Sequence, residues 1–438
     1  MASLKLFMMK SVLFITFLLF IYASAFSQNK PPNIIFIMAD DVGAECLQCY
    51  GGESYRTPSL DNLANEGFLF TNAYTAPLCT PTRVQVLTGQ YPFRNGWTGG
   101  IWEQPKNQQF LDPDIYTFAR MLNQAGYATA VSGKWQLARF ENHPNHLSQL
   151  GFDEHCMWTW KYDDPIPDDI ESESGNRLAR YWNPGIWQNG AILTNVKGKY
   201  GPDIYSDFLL NFMEKHQSEP FLLYYSMALS HFPFVRVPGE KEGKSRFQNF
   251  KDMIEYMDML VGKFIKKTDE LDISDNTIII FTGDNGTDRE MTSLFKGREL
   301  KGEKGLLTDA GTRVPFIVKW PGVAQQGTVC DALIDLTDML PTFAEIAGIE
   351  IPDNYQLDGK SIVPLLRGNK KQTRDWIFCQ VNNDWFYRTK NYRLHRNDSF
   401  YYLPDHYSPE KIYPGKSKKA NKIYNQLRQQ AKSEHLIP

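Results

Sequence analysis

Cysteine is scarce. Six residues in 438 are too few and too scattered for the disulfide framework of a small secreted scaffold. Cys46 and Cys49 form a lone C-x-x-C pair, which alone is weak evidence for zinc or redox chemistry; free thiols or one local bridge are the favoured reading. An excess of one charge is also missing: 47 Lys and Arg face 50 Asp and Glu, a formal charge of −3. No basic block or Lys/Arg stripe stands out, so nothing in the sequence calls for a nucleic acid or an anionic membrane as partner. Internal repeats and low-complexity tracts are absent, which argues against a solenoid or adhesive array. Only one apolar run is long enough to notice, Val12–Tyr22. It follows Lys5 and Lys10 and precedes Ala23-Ser24-Ala25, the layout of a cleavable secretory leader over 1–27 and not of a membrane anchor. No cysteine sits at the cleavage point to carry a lipid, so secretion or periplasmic export is expected.

Past the leader, the chain alternates buried-strand runs with helical patterns, as in an α/β sheet with helices on both faces. Strands are expected at Asn33–Met38, Ala128–Ser132, within Pro220–Ala228, and at Asn276–Phe281 and Phe316–Trp320. Helices are expected from Pro58 to Gly67, over Ile115–Ala125, and around the one-faced set Met253, Ile254, Met257, Leu260, Val261 and Phe264. Residues 136–200 read as a long irregular insertion. From about 350 the rhythm fades. Short aromatic runs at Trp376–Val381, Trp385–Tyr387 and Ser399–Leu403 predict a small antiparallel sheet, followed by a terminal helix near 420–434. The expected division is 28–349 for the main domain and 350–438 for a smaller subdomain.

Two acidic pairs sit at equivalent places. Asp40-Asp41 follow the first strand and Asp284-Asn285 follow Asn276–Phe281. In a parallel sheet such positions share the carboxyl edge, where open α/β folds place their sites. Three carboxylates and an amide are hard oxygen ligands suited to Ca²⁺ or Mg²⁺. The plainer reading of either pair alone is turn chemistry. A second segment reads Cys79-Thr80-Pro81-Thr82-Arg83, then Leu87-Thr88-Gly89. Thr80 suits a helix cap and Pro81 a first turn, which puts Cys79 where free amides and the helix dipole attract anions. Arg83, one turn on, offers a forked donor to a tetrahedral oxyanion. The plainer reading is a buried structural cysteine.

This segment, C-x-P-x-R-x4-T-G, resembles the signature of the type I, formylglycine-dependent sulfatases of the alkaline phosphatase-like superfamily. Other blocks agree in order: Asn33–Asp41, Gly133-Lys134-Trp135, Ser230-His231-Phe232-Pro233, Thr282–Gly286, and Lys301–Gly305 with Gly311–Pro315. The resemblance spans about 31–350 well and the rest more loosely. It implies a large mixed, mostly parallel sheet sandwiched by helices. It also implies that Cys79 is oxidised to formylglycine (3-oxoalanine) by a maturation enzyme, and that the aldehyde hydrates to a geminal diol. One diol hydroxyl would attack sulfur to give a sulfo-enzyme, and deprotonating the other would expel sulfate. Asp40, Asp41, Asp284 and Asn285, with residue 79, would hold one Ca²⁺. Arg83, Lys134 and Lys304 would surround the sulfate, each worth roughly 3–4 kcal/mol of barrier if they behave like other preorganised donors. His231, or Lys304, would protonate the leaving oxygen.

The chain departs from the family pattern at Gln136, where the block after the lysine usually carries His. Glutamine hydrogen-bonds but is no base near neutral pH. Three alternatives stay open: Gln136 positions the diol while another group takes the proton, His143 or His146 substitutes, or turnover is lost and the protein only binds. Asp309 stands where the family usually has Glu. Trp97, Trp102, Trp158, Trp160, Trp182 and Trp187 are candidates to stack on sugars, though core packing is the default for each. Arg139, Arg177, Arg180 and Arg236 are candidates for further anionic groups. The expected activity is removal of sulfate from a sulfated carbohydrate. The alternatives are a phosphate or phosphonate ester hydrolase of the same superfamily, or a carbohydrate-binding pseudoenzyme. Two-zinc relatives need His beside the metal aspartates, and neither metal segment here has one.

Overall fold

The computed structural model describes residues 30–105, 109–162, 165–173, 177–412, 415 and 417–437. The expected leader lies outside them. The first strand, Asn33–Ala39, is the middle of an 11-stranded sheet, and all seven of its residues are buried. That explains its unbroken apolar run: a strand covered on both faces cannot alternate. It pairs in parallel with Thr277–Gly283 on one side and Phe221–Ser226 on the other. Ala128–Lys134 and Glu154–Trp158 continue the parallel block outward. Beyond Thr277–Gly283 the sheet turns mixed: Phe316–Lys319 is antiparallel, then Phe68–Tyr74, which pairs in parallel with Thr328–Asp335.

Adjacent residues of one strand show the two covered faces. Tyr224 packs edge-on against Phe118 of the helix Phe118–Gln124, while Tyr225 meets Phe264 of the helix Arg246–Glu270. All six apolar positions expected on one face of that second helix are buried, and Ser245 caps it by accepting from the Gln248 amide. Each such fully buried Ile, Leu or Phe contributes about 1.5–3 kcal/mol.

Three features differ from the sequence reading. Residues 136–200 are not only an insertion, because Glu154–Trp158, Ile186–Gln188 and Ala191–Ile192 build one end of the main sheet. Glu154–Trp158 is short and polar at its start, so it lacks the apolar run that marks the central strands. The helix after Leu78 begins at Cys79, with Leu78 as its cap and no side-chain capping bond, so Thr80 lies inside the first turn. The strand Phe68–Tyr74, with polar Thr71 and Asn72 inside it, is additional to the expected strands.

The second sheet is antiparallel and runs Ile377–Val381, Asp384–Arg388, Tyr392–His395, Phe400–Tyr402, Glu410–Ile412. The helix Lys418–Ser433 covers it, burying Tyr424, Leu427 and Ala431. Ile362, Leu365 and Leu366 still pack in the main core. Buried ions lock the two parts together. Asp309 takes Arg388 and Arg393, and Arg374 bonds Asp335 and Asp338, with Tyr91 donating to Asp335 across 2.6 Å.

Candidate active site

Register places the acidic pairs. Ala39 lies opposite Gly283 in the parallel pair, so Asp40-Asp41 and Asp284-Asn285 leave the sheet side by side. The Asp284 amide donates to the Ala39 carbonyl (2.9 Å), and the Asp41 amide to Asp284 Oδ1 (3.1 Å). Asp41 adopts the left-handed conformation (φ 59°), which Asp tolerates better than most residues. All four side chains are fully buried. Asn285 donates its amide to Asp41 Oδ1 (2.8 Å) and to the Gly286 carbonyl (2.9 Å), while its Oδ1 is buried with no hydrogen-bond partner. Gly286 is required here, since a Cβ would lie 1.8 Å from the Ala310 carbonyl oxygen.

Three cations face these acids. Lys134 ends its strand, and its ammonium lies 2.7 and 2.9 Å from the two oxygens of Asp40. The Lys304 ammonium lies 2.7 Å from Asp41 Oδ2. Arg83 donates through Nη2 to Asp284 Oδ2 (2.7 Å) and through Nη1 to the Lys134 carbonyl (3.1 Å) and Ser226 Oγ. The three positive groups match the three carboxylates in number. Burial pushes Asp40 up, but Lys134, Arg83 and Lys304 outweigh it and hold the carboxyl below its ordinary range. Burial, with the repulsion of Asp40, raises Asp41 despite Lys304. Burial and then the Asp40 charge push Asp284 up to about 7 against Arg83.

Cys79 opens the helix Cys79–Thr88 and is almost wholly buried. Its Sγ lies within 4.8 Å of ligand oxygens of both Asp40 and Asp284. His231 lies across the cluster. Its Nδ1 donates to the Phe232 carbonyl (2.6 Å), which leaves Nε2 bare and 4.0 Å from Asp41 Oδ2. Burial, then the charges of Lys304, Lys134 and Arg180, push this imidazole well below its ordinary value and keep it neutral. The Tyr181 hydroxyl bridges the carbonyls of Ala228 (2.8 Å) and His231 (2.5 Å), fixing the loop. Gln136 is buried two residues past Lys134 with φ 53°, a conformation that costs a side-chain-bearing residue about 1–2 kcal/mol and is held by its surroundings.

The structure thus brings together Asp40, Asp41, Cys79, Arg83, Lys134, His231, Asp284, Asn285 and Lys304. His143 and His146 belong to no metal-ligating cluster among the described residues. His143 stacks on Phe110, and His146 packs edge-on against Trp135, where burial pushes it down to about 3. Trp97, Trp158, Trp160 and Trp187 are core residues, whereas Trp102 is exposed. Arg180 is buried and stacked 4.2 Å from the Trp158 ring; Arg236 lies 4.2 Å from Trp182.

Two supporting groups were missed in the sequence. Ser226 ends its strand at the same carboxyl edge and donates to the Lys134 carbonyl (2.7 Å), so the edge rule that found the aspartates had the signal for it. Glu45 is buried behind the acidic pairs, where Thr287 donates to it and accepts from the Gly43 amide (3.1 Å). Nothing in the spacing of Glu45 distinguishes it from a turn residue.

The sulfatase family model matches residues 32–349, and a model described as N-sulphoglucosamine sulphohydrolase, C-terminal, matches 302–407. The chain is 31% identical over 417 residues to an N-acetylgalactosamine-6-O-sulfatase of Bacteroides thetaiotaomicron, covering 81% of this chain and 80% of that protein. It is 31% identical over 403 residues to human arylsulfatase A, covering 86% and 77%. The solved structure of Ps i-CgsB in complex with k-i-k-neocarrahexaose superposes with a TM-score of 0.77 at 25% identity, covering 92% of this chain and 93% of that one. With this fold, this match over most of its length and this register of acidic and cationic groups, the chain belongs to the sulfatase family of the alkaline phosphatase-like superfamily.

Proposed function

We propose that this protein hydrolyses a sulfate ester on a sulfated carbohydrate, with Cys79 matured to formylglycine and one calcium ion held by Asp40, Asp41, Asp284, Asn285 and residue 79. The observation that carries the reading is the position of Cys79, at the first residue of a helix and within 4.8 Å of Asp40 and Asp284. A helix N-terminus favours an anion arriving there. The donor set fits a hard dication: three buried carboxylates with a buried amide oxygen, Asn285 Oδ1, that has no other partner. When bound, the ion and the hydrated formylglycine supply a nucleophilic oxygen of lowered pKa and a Lewis acid that neutralises charge on the ester.

The chain's own residues do the rest. Both terminal nitrogens of Arg83 are engaged by Asp284, Ser226 and the Lys134 carbonyl, so Arg83 chiefly fixes the carboxylates around residue 79. Lys134 and Lys304 each carry three donors and use one edge of the ammonium on an aspartate, which leaves donors for sulfate oxygens. Lys304, an ammonium, is the proton donor to the leaving oxygen, and His231, neutral with a bare Nε2, accepts a hydrogen bond beside it. Gln136 orients the hydroxyls on residue 79 without serving as a base. The family likeness to an N-acetylgalactosamine-6-O-sulfatase supports a sulfated sugar as substrate. Export through a leader over 1–27 and a division into a catalytic part (28–349) and a smaller part (350–438) complete the proposal; among the described residues no helix is long and apolar enough to cross a membrane.

Ion chromatography of sulfate freed from a panel of sulfated mono- and oligosaccharides tests this, with matched phosphate esters alongside. Sulfate release that a chelator and Cys79→Ala both abolish is expected. Preferential phosphate release would make the protein a phosphatase, and sugar binding without release of either anion would make it a lectin-like relative.

A further inference from the structure

The near-neutral total charge hides a split. Residues 1–349 carry 31 Lys and Arg against 41 Asp and Glu, while residues 350–438 carry 16 against 9. The basic excess comes in short clusters far apart in sequence, among them Lys370-Lys371 and Lys418-Lys419. Folding gathers part of it around three adjoining hollows, one between the main domain and the second sheet with its helix, one within the C-terminal part, and one on the main-domain side around residues 365–371. The first, about 480 Å³, is walled by Lys371, Lys390, Lys419, Asn391 and Tyr392 with Asp331 and Asp375 among its neighbours. The second, about 470 Å³, shares Asn391, Tyr392 and Lys419 and adds Tyr402. The third, about 380 Å³, shares Lys371 and Asp331 with the first and adds Arg367 and Lys370.

The lining charges are partly compensated: Asp331, Asp375 and Glu410 also line the hollows, Arg367 pairs with Glu345, and Arg374 is tied to Asp335 and Asp338. Lys390 pairs with Asp331, but Lys370, Lys371 and Lys419 are exposed and form no ion pair among the described residues. Adjacent unpaired ammonium groups repel each other, and a surface hollow that concentrates them focuses a positive potential. The half-buried Tyr402 lines the second hollow beside the buried Tyr392, their ring centroids 5.6 Å apart and tilted, which gives the trough one aromatic wall. Unpaired cations spread over adjoining hollows beside such a wall suit an extended sulfated glycan better than a compact ion. None of the residues proposed for catalysis lines these hollows.

We propose that this trough is a second glycan-binding site, which holds a sulfated polysaccharide chain away from the catalytic centre and so raises the local concentration of scissile esters. The proposal rests on the sulfatase reading for its choice of polyanion, but binding at the trough is independent of turnover. Holding the polymer acts through effective concentration, so it lowers KM for long substrates and leaves kcat and small substrates untouched.

The test uses the full chain carrying Cys79→Ala, so that nothing is hydrolysed, with dextran sulfate fractions of increasing length as the probe. Calorimetry should show binding that tightens with length and weakens steeply with salt. The combined change Lys371→Ala, Lys390→Ala and Lys419→Ala should weaken it about tenfold or more, whereas replacing the same three residues with Arg should preserve it. On the Cys79-containing protein, the triple alanine change should raise KM for a polymeric substrate and leave turnover of a sulfated monosaccharide within about twofold. Unchanged dextran sulfate affinity in the triple variant would overturn the proposal. So would equal affinity for polyphosphate, duplex DNA or anionic vesicles, which would make the trough a general anion surface. If binding behaves as expected while no sulfate ester is ever cleaved, the catalytic reading fails and the trough stands.

Discussion

Asn285 gives its amide hydrogens to Asp41 Oδ1, 2.8 Å away, and to the neighbouring Gly286 carbonyl, which leaves its own carbonyl oxygen buried beside the acidic pairs with no partner. A buried acceptor without a donor costs about 1–3 kcal/mol, and a cation repays it. Calcium should therefore raise the thermal midpoint, and at a hundredfold excess over its dissociation constant the gain is about 2.7 kcal/mol. Differential scanning fluorimetry with and without chelator reads this directly. Asn285→Leu should abolish the calcium-dependent shift, and a shift that survives the substitution would place the ion elsewhere.

Arg83 is buried against Asp284 with no solvent to replace it. Arg83→Ala should cost about 3–5 kcal/mol of stability, because a buried carboxylate is left unpaired. Arg83→Lys keeps the charge but cannot reach Asp284, Ser226 and the Lys134 carbonyl together. It should fold and lose about 10²–10³ in kcat. Denaturant melts and single-substrate kinetics on both variants separate the structural loss from the catalytic one.

Gln136 holds a left-handed backbone conformation that glycine adopts freely. Gln136→Gly should leave stability equal or raise it by about 1 kcal/mol, while turnover falls because the amide no longer orients residue 79. Gln136→His should keep turnover and add an ionisation to the pH profile of kcat. A Gln136→Gly variant with full activity would remove this side chain from the mechanism.

Asp309 ties the two sheets together. Burial alone would raise its carboxyl, but Arg388, His406 and Arg393 outweigh burial and hold it well below the usual range. A carboxyl whose folded pKa is depressed stabilises the fold fully above its unfolded value, about 3.9, and that stability drains as pH falls towards the folded pKa. Acid should therefore loosen the join between the main domain and the C-terminal sheet. Asp309→Asn should be less stable at neutral pH, since Arg388 loses its partner, and should show a shallower loss of stability on acidification. Melts between pH 3 and pH 7 check the sign.

Much of the site was legible in the chain because the carboxyl edge of a parallel sheet is a local consequence of strand order. Asp40 and Asp284 come directly off strand ends, and the central strand's apolar run could only be covered on both faces, whereas Lys134, His231 and Lys304 stand out only through the resemblance to the sulfatases. What escaped depends on distant packing. Glu154–Trp158 is recognisable as a sheet strand only through its partner Ala128–Lys134. Glu45 becomes a support only because Thr287 arrives from 242 residues away. The basic trough is assembled from Lys371 and Lys390 on two separate bends and Lys419 on the last helix, which no sequence window joins.

Every step proposed for turnover depends on residue 79 being a matured nucleophile. Peptide mass spectrometry across Cys79, on protein co-expressed with the maturation enzyme, should show a loss of ~18 Da, thiol to aldehyde, in the same preparation that frees sulfate, and Cys79→Ala should free none. Sulfate release by protein whose Cys79 is wholly unmodified, or undiminished release by Cys79→Ala, would contradict it.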